Sequence, residues 1–594
     1  MHEGATALRG HGMEDGARAT AQSPPTALAA TGKVRYSEAH TMTSLSAASR
    51  LAYLVLTLAA AWLFLWNLGA HSISLRSDEV IYVRVTQSIL HNGDIFPLKH
   101  GGAPTFEKPP LKLWLGSIAP ILLRESNLSF RLLDGLLGVL SVLLSVAMMR
   151  RISGSVWLAL LSGALLLGMP ELVISHHGFR RAVLDGLLTV LTILVASGVW
   201  RMVEARLATT SEVFRGGSNR ERVRAIGIGA LCSLAVLTKS VAGFVPALCA
   251  VVSLVIASPV TDAGLLKRIR CQRYLLWIVL LPVATFIGYC GALLCVAGPK
   301  ALNIFIGVEV LTRVFSGFEG HNTGDHWFYL WSLFVRGSAV PRVLLVFGVL
   351  GALLTVKSNR GLRFLLVWTV LPVTLYSFSA SKVPWYLNPF LPFMSMLAVG
   401  GAAAFLTYLA RILLRILVSC RASELKKEEV LSASRYLTSL GFGSSGLGAR
   451  DRFSRELLVV WCVAILLATT TVPAYVRAVT RHVDVVLKSN ERIEFDHLVQ
   501  SLRRNYSQFA IIENVVSGRS SPRNGRFNVE GIYREMLKPG LRLVSSVRDF
   551  IPRPEEVVLV KEESLGRLPV GWREIGAVNP HAGRPWRLVA VVYG

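Results

Sequence analysis

Asp78-Glu79 and, some thirty residues later, Phe106-Glu107-Lys108-Pro109-Pro110 lie in one segment just past the first membrane-length apolar stretch. Paired carboxylates with a lysine at a membrane surface suit proton transfer and the handling of an anion, because partial desolvation raises a carboxyl pKa and strengthens every charge contact. Ser77-Asp78-Glu79 also reads as a helix start, with Tyr82 one turn after Asp78 on the same face. Pro109-Pro110 hold the preceding residues extended and let a helix begin at Leu111, so Glu107 and Lys108 stand rigidly ahead of it.

Further charges interrupt apolar runs. Asp185 sits where a loop meets a span, after Arg180-Arg181; Lys239 lies in Leu237-Thr238-Lys239-Ser240, and Lys382 in Ser381-Lys382-Val383-Pro384-Trp385-Tyr386. An ionisable group at that depth is costly, and a functional role is the default reading. Cations gathered there would suit an anion at the membrane boundary, a lipid phosphate being the obvious candidate. Glu309, Arg313, His321, Asp325 and His326 recur in the segment 297–327. His321 with Glu107 could hold a metal ion, although no ligand spacing supports it.

These residues need a scaffold. The chain of 594 residues is 52% hydrophobic with a mean hydropathy of +0.49. Repeated apolar runs then make it an α-helical polytopic membrane protein of about 11–13 transmembrane helices. Spans are expected near 51–70, 132–149, 156–174, 185–203, 225–238, 240–257, 274–296, 340–356, 364–378, 387–409 and 457–476. The apolar stretch 111–123 is too short to cross and is expected to lie at the interface.

Net charge is +26, with Lys and Arg gathered in short loops. That excess marks cytoplasmic loops and binding to membrane lipids, and no nucleic acid is implied. With the N-terminus inside, Arg150-Arg151 and segments 201–224, 267–273, 357–363 and 411–455 all fall in the cytoplasm. Every candidate site residue falls on the opposite face. Three parts are expected: a disordered tail 1–45, a membrane domain 46–478 with the outer loop 71–128, and a small soluble α/β domain 479–594 on the outer face. Seven cysteines form no CxxC or Cys/His cluster.

The acidic pair, Phe-Glu-Lys-Pro-Pro, the acid after the third span, Leu-Thr-Lys and Ser-Lys-x-Pro-x-Tyr together resemble the GT-C membrane glycosyltransferases over residues 50–410. They are most similar to the lipid A 4-amino-4-deoxy-L-arabinose transferases, relatives of the dolichyl-phosphate-mannose protein mannosyltransferases. The resemblance implies a polyprenyl-phosphate-linked sugar donor, a lipid A, glycan or protein acceptor, and a periplasmic active site in a bacterial inner membrane. It implies catalytic roles for Asp78, Glu79, Glu107 and Asp185, phosphate binding by Lys108, Lys239, Arg181 and Lys382, and substrate contacts from Tyr82, Tyr386 and His321. An inverting displacement fits, with no cofactor required and none signalled by a nucleotide, flavin or nicotinamide motif. Departures from the family pattern are Ile81 for an arginine, Thr105 for a tyrosine, Gly186 for a proline and Ser240 for a glycine. A protein O-mannosyltransferase-like enzyme and a secondary transporter of an anionic lipid-linked substrate are the alternatives.

Overall fold

The computed structural model describes residues 47–69, 78–208 (except 101, 174 and 176), 219–257, 274–317, 324–334, 342–421 and short stretches between 502 and 593. The expected tail 1–45, the span near 457–476 and His321 lie outside them.

The first helix, α1 (Ala47–Leu65), is an apolar span, and the segment after it is more structured than a polar loop. It holds amphipathic α2 (Asp78–Asn92), a short hairpin of β1 (Lys99–His100) and β2 (Ala103–Pro104), and α3 (Leu111–Leu123). Ile118, Ile121, Leu122 and Leu123 of α3 are exposed, as an interfacial helix requires. Ser126 starts α4 (Asn127–Ser153) with a capping box closed by Ser129, and Gly154 ends it at φ 72°, where a side chain would be strained. Next comes α5 (Val156–Leu167), capped by Ser155. It is shorter than the span expected to reach residue 174, because Gly168 stops it and Pro170 opens the separate turn α6 (Pro170–Val173).

The bundle continues with α7 (Asp185–Ala208), α8 (Asn219–Lys239) and α9 (Phe244–Ile256). Between α8 and α9 the chain turns sharply at 240–243, and a Cβ on Gly243 would collide with the backbone of Ala235 and Val236. Then come α10 (Leu275–Leu302), α11 (Phe328–Phe334), α12 (Arg342–Leu354), α13 (Arg360–Phe378) and α14 (Leu391–Arg421). The polar stretch 297–327 between expected spans, read from the sequence as a loop, is helical to Ser316: after Gly298-Pro299 the chain continues as wide π-type turns over Asn303–Ser316. Phe305 there is buried against Leu293 and Ala301, and that packing holds the segment to α10.

Among the described residues seven helical segments are long and apolar enough to cross a membrane, two of them 38 and 42 residues long, and three shorter apolar helices accompany them. The chain is a multi-pass membrane protein. Its tightest helix contact is between α12 and α14, where Gly348 and Gly351 meet Leu397, Ala398 and Gly401 backbone to backbone. Gly351→Leu, whose Cβ would run into the Gly401 carbonyl, should cost about 3 kcal/mol or more. A lowered melting temperature of the detergent-solubilised protein is the expected reading, and an unchanged one would show that the two helices part without cost.

Near the C-terminus β3 (Phe509–Ile512), β4 (Leu541–Val544), β5 (Val557–Lys561), β6 (Trp572–Val578) and β7 (Leu588–Tyr593) form a five-stranded sheet of order β4-β3-β5-β7-β6. β3 runs parallel to β4 and β5, while β7 runs antiparallel to β5 and β6. β3, β4, β5 and β7 fall on the β-like runs that the sequence shows at 509–516, 541–547, 556–561 and 586–592, and β6 falls on none of them.

Candidate active site

Asp78 opens α2, half-buried, and accepts a hydrogen bond at 3.2 Å from the hydroxyl of Tyr82, one turn on. Its neighbour Glu79 is fully buried. The Arg131 guanidinium of α4 grips Glu79 with two bonds, Nε at 2.7 Å and Nη2 at 3.0 Å; Arg181 adds Nη1 at 3.1 Å and the Ala182 N–H donates at 2.9 Å. Burial would push this carboxyl up, but Arg131, Arg181 and the Ala182 amide prevail and hold it at about 2. Glu79 is thus ionised and saturated with partners.

Asp185, the first residue of α7, is 2% exposed and divides its oxygens. Oδ1 takes the Lys239 ammonium at 2.5 Å and Oδ2 takes His177 Nδ1 at 3.0 Å. Lys239 terminates α8 at the sharp turn, with its ammonium 5.8 Å from the centre of the Tyr386 ring, within cation–π range. Ser240 follows at φ 50°, the left-handed region in which glycine is unstrained, and this is the position where the family pattern has glycine. His177 lies flat on Trp385 with ring centres 4.5 Å apart, and its carbonyl accepts from Asn388.

Across the site Lys108 pairs with Glu309, which also takes Arg313 at 3.1 and 3.0 Å. The Lys108 carbonyl accepts from Tyr289 of α10 at 3.4 Å. Arg313 reaches Tyr386. The Ser379 hydroxyl and the backbone N–H groups of Ala380 and Ser381 donate to the carbonyls of Arg313 and Val314 at 2.8–3.1 Å, which brings in the Lys382 segment. Lys382 is 3% exposed and has no acidic partner among the described residues. Glu107 sits at the rim; partial desolvation raises its carboxyl above the usual range, Lys108 opposing and Glu309 reinforcing. The buried Tyr82 phenol is held well above its ordinary value by desolvation and by Asp78, Asp185 and Glu309. Those shared neighbours tie the two charge clusters into one site.

Arg180 departs from the expectation that the loop cations gather around an anion. Its guanidinium is buried and donates to the carbonyls of Leu63 and Asn67 at 2.9 and 3.4 Å, satisfying the free end of α1. Desolvation, with Arg131 and Arg181 nearby, lowers it to about 10. Arg131, Asp134, Lys112 and His177 belong to the neighbourhood without having been expected as site residues. Asp134 carried a signal, a carboxylate within a span. His326 is exposed and meets Ser377 O at 3.3 Å. No cluster of three metal-ligating side chains occurs among the described residues, so the Glu107–His321 pairing stays outside what they describe.

Residues 52–296 match the family model for dolichyl-phosphate-mannose-protein mannosyltransferase. Two undecaprenyl phosphate-alpha-4-amino-4-deoxy-L-arabinose arabinosyl transferases, from Pseudomonas fluorescens Pf-5 and Proteus mirabilis, are each 26% identical over 58% and 59% of this chain. The chain spans about 55–59% of the length of those relatives. The crystal structure of ArnT from Cupriavidus metallidurans bound to undecaprenyl phosphate shares the fold at a TM-score of 0.55 and 18% identity, covering 91% of this chain and 97% of that one. Its apo form gives a TM-score of 0.56. The chain is a multi-pass membrane protein with the fold of these ArnT structures, and over part of its length its sequence is similar to the aminoarabinose transferases and to the protein-mannosyltransferase family.

Proposed function

We propose that this protein is an inner-membrane glycosyltransferase that moves a sugar from a polyprenyl-phosphate donor to an acceptor on the periplasmic face, with inversion at the anomeric carbon. The observation that carries the reading is the convergence of residues from six distant segments on one site: Asp78, Lys108, Asp185, Lys239, Glu309-Arg313 and Lys382-Tyr386. The similarity to enzymes named as undecaprenyl-phosphate aminoarabinose transferases supports a lipid-phosphate donor.

The acceptor oxygen attacks the anomeric carbon as the bond from that carbon to the phosphate oxygen breaks. Asp78 takes the acceptor proton where the acceptor is a hydroxyl of lipid A, a glycan or a protein. An anionic phosphate acceptor is positioned by Asp78 without proton transfer. The leaving polyprenyl phosphate gains negative charge, which Lys239, Lys108 and Lys382 stabilise. Lys239 and Lys108 must first exchange their carboxylates for the phosphate. Glu79, with every partner already engaged, acts by fixing α2 rather than by touching substrate, and Arg181 serves it. Glu107 and Asp185 hold the acceptor and the lysines.

Incubating membranes with radiolabelled polyprenyl-phosphate sugar tests the reading, the acceptor being identified by mass spectrometry of lipid A, envelope glycans and envelope proteins. Label transferred to an acceptor supports it. Label that crosses the membrane still on its carrier would identify a transporter instead. Lys239→Gln, which loses a charge-assisted contact worth about 1.5–3 kcal/mol, should weaken binding of undecaprenyl phosphate about 10- to 100-fold. Unchanged affinity in a titration would remove Lys239 from the phosphate site.

A further inference from the structure

We propose that Lys112 and Asp134 are a positioning pair for the transfer reaction, holding the segment with Glu107 and Lys108 in register with the segment that starts at Asp185. The inference rests on the functional reading above and adds two residues to it. Lys112 is the second residue of α3, four residues after Lys108, and its ammonium lies 2.8 Å from Asp134 Oδ2 of α4. The two side chains are only 4% and 0% exposed.

A buried ion pair is a poor way simply to hold two helices together, because desolvation of both charges offsets most of their attraction. Apolar side chains of similar volume would pack α3 on α4 at lower cost. An ion pair adds register: the contact forms at one rotation and one height of α3, whereas leucines slide. Two surroundings of Asp134 say what the register serves. Its Oδ1 is buried without a hydrogen-bond partner and lies 2.8 Å from where a Cβ on Gly186 would stand. Gly186 is next to Asp185. Arg131, one turn earlier on α4, grips Glu79 beside Asp78. One face of α4 therefore holds α2 through Glu79, holds α3 through Lys112 and abuts the first turn of α7. Asp78 opens α2, Asp185 opens α7, and Lys108 stands three residues ahead of α3.

The double variant Lys112→Met/Asp134→Leu separates register from packing. It should melt within a few degrees of the wild type and lose about 100-fold in kcat, the scale set by a misplacement of roughly 1 Å, with a much smaller change in donor KM. Wild-type kcat in that folded variant would overturn the proposal. Should it fail to fold, Gly186→Ala decides, since it keeps both charges and presses a methyl group on Asp134 Oδ1. A loss of kcat of about 10-fold at little cost in melting temperature is expected there, and wild-type kcat would overturn the idea. Amide hydrogen exchange at 107–115, which needs no turnover, should quicken in whichever variant folds, and unchanged exchange there would overturn the proposal. A wild-type protein that transfers no sugar would sink the functional reading while leaving the exchange result to judge the pair.

Discussion

Asp78→Asn is expected to slow sugar transfer to a hydroxyl acceptor by about 10²- to 10⁴-fold, the span that positioned general bases contribute. The amide has the same shape and can still accept the Tyr82 bond, so α2 and the donor pocket should persist and donor KM should move little. A paired measurement of kcat and donor KM on the purified variant reads this. Transfer at the wild-type rate would remove Asp78 from the chemistry. A rise in KM with unchanged kcat would make it a binding residue. Tyr82→Phe takes away one hydrogen bond to the same carboxylate and should cost far less than Asp78→Asn.

The second large effect is on stability. Glu79→Gln would leave the Arg131 guanidinium buried and Arg181 partly buried opposite a neutral amide, and breaking such a pair costs about 3–5 kcal/mol. Linkage gives an independent check in the wild type. The Glu79 carboxyl is depressed from 4.5 to about 2 on folding. The stability it contributes is therefore complete above pH about 4.5 and disappears as pH falls from there through about 2. The amount is about 3 kcal/mol. Melting temperature against pH for wild type and Glu79→Gln in the same detergent should converge toward the acid end of that window. Parallel curves would show that Glu79 is not ionised in the folded protein. Transfer should also fall in Glu79→Gln, because α2 loses the anchor beside Asp78.

The membrane helices were legible because bilayer-length apolar runs have few other fates, and the basic loops gave the expectation that the candidate residues share one face. Asp78, Asp185, Lys239 and Lys382 stood out for a related reason: charge at or within a span is expensive and therefore rare. Their partners were harder to see. Glu309 and Arg313 form an i,i+4 pair, but the segment holding them carries Gly and Asn and gave no helical expectation; the aromatic packing of Phe305 that orders it is a tertiary effect. Arg131 sits at the very start of a span, where an arginine ordinarily snorkels, so nothing local points to Glu79 fifty-two residues away. Lys112 reads the same way, as a surface lysine on an interfacial helix, until Asp134 is found beneath it. Strand β6, with Gly and Glu among its seven residues, lacks the alternation that marked its neighbours.

Two of the three lysines proposed to meet the donor phosphate already have a carboxylate of their own, Lys239 with Asp185 and Lys108 with Glu309. Bare ammonium groups in so dry a place would cling to a spent carrier and stall the enzyme after one cycle. In the proposed reaction these acids compete with the product for the same cations, and their return to the lysines would help to expel the used lipid and reset the pocket for the next donor.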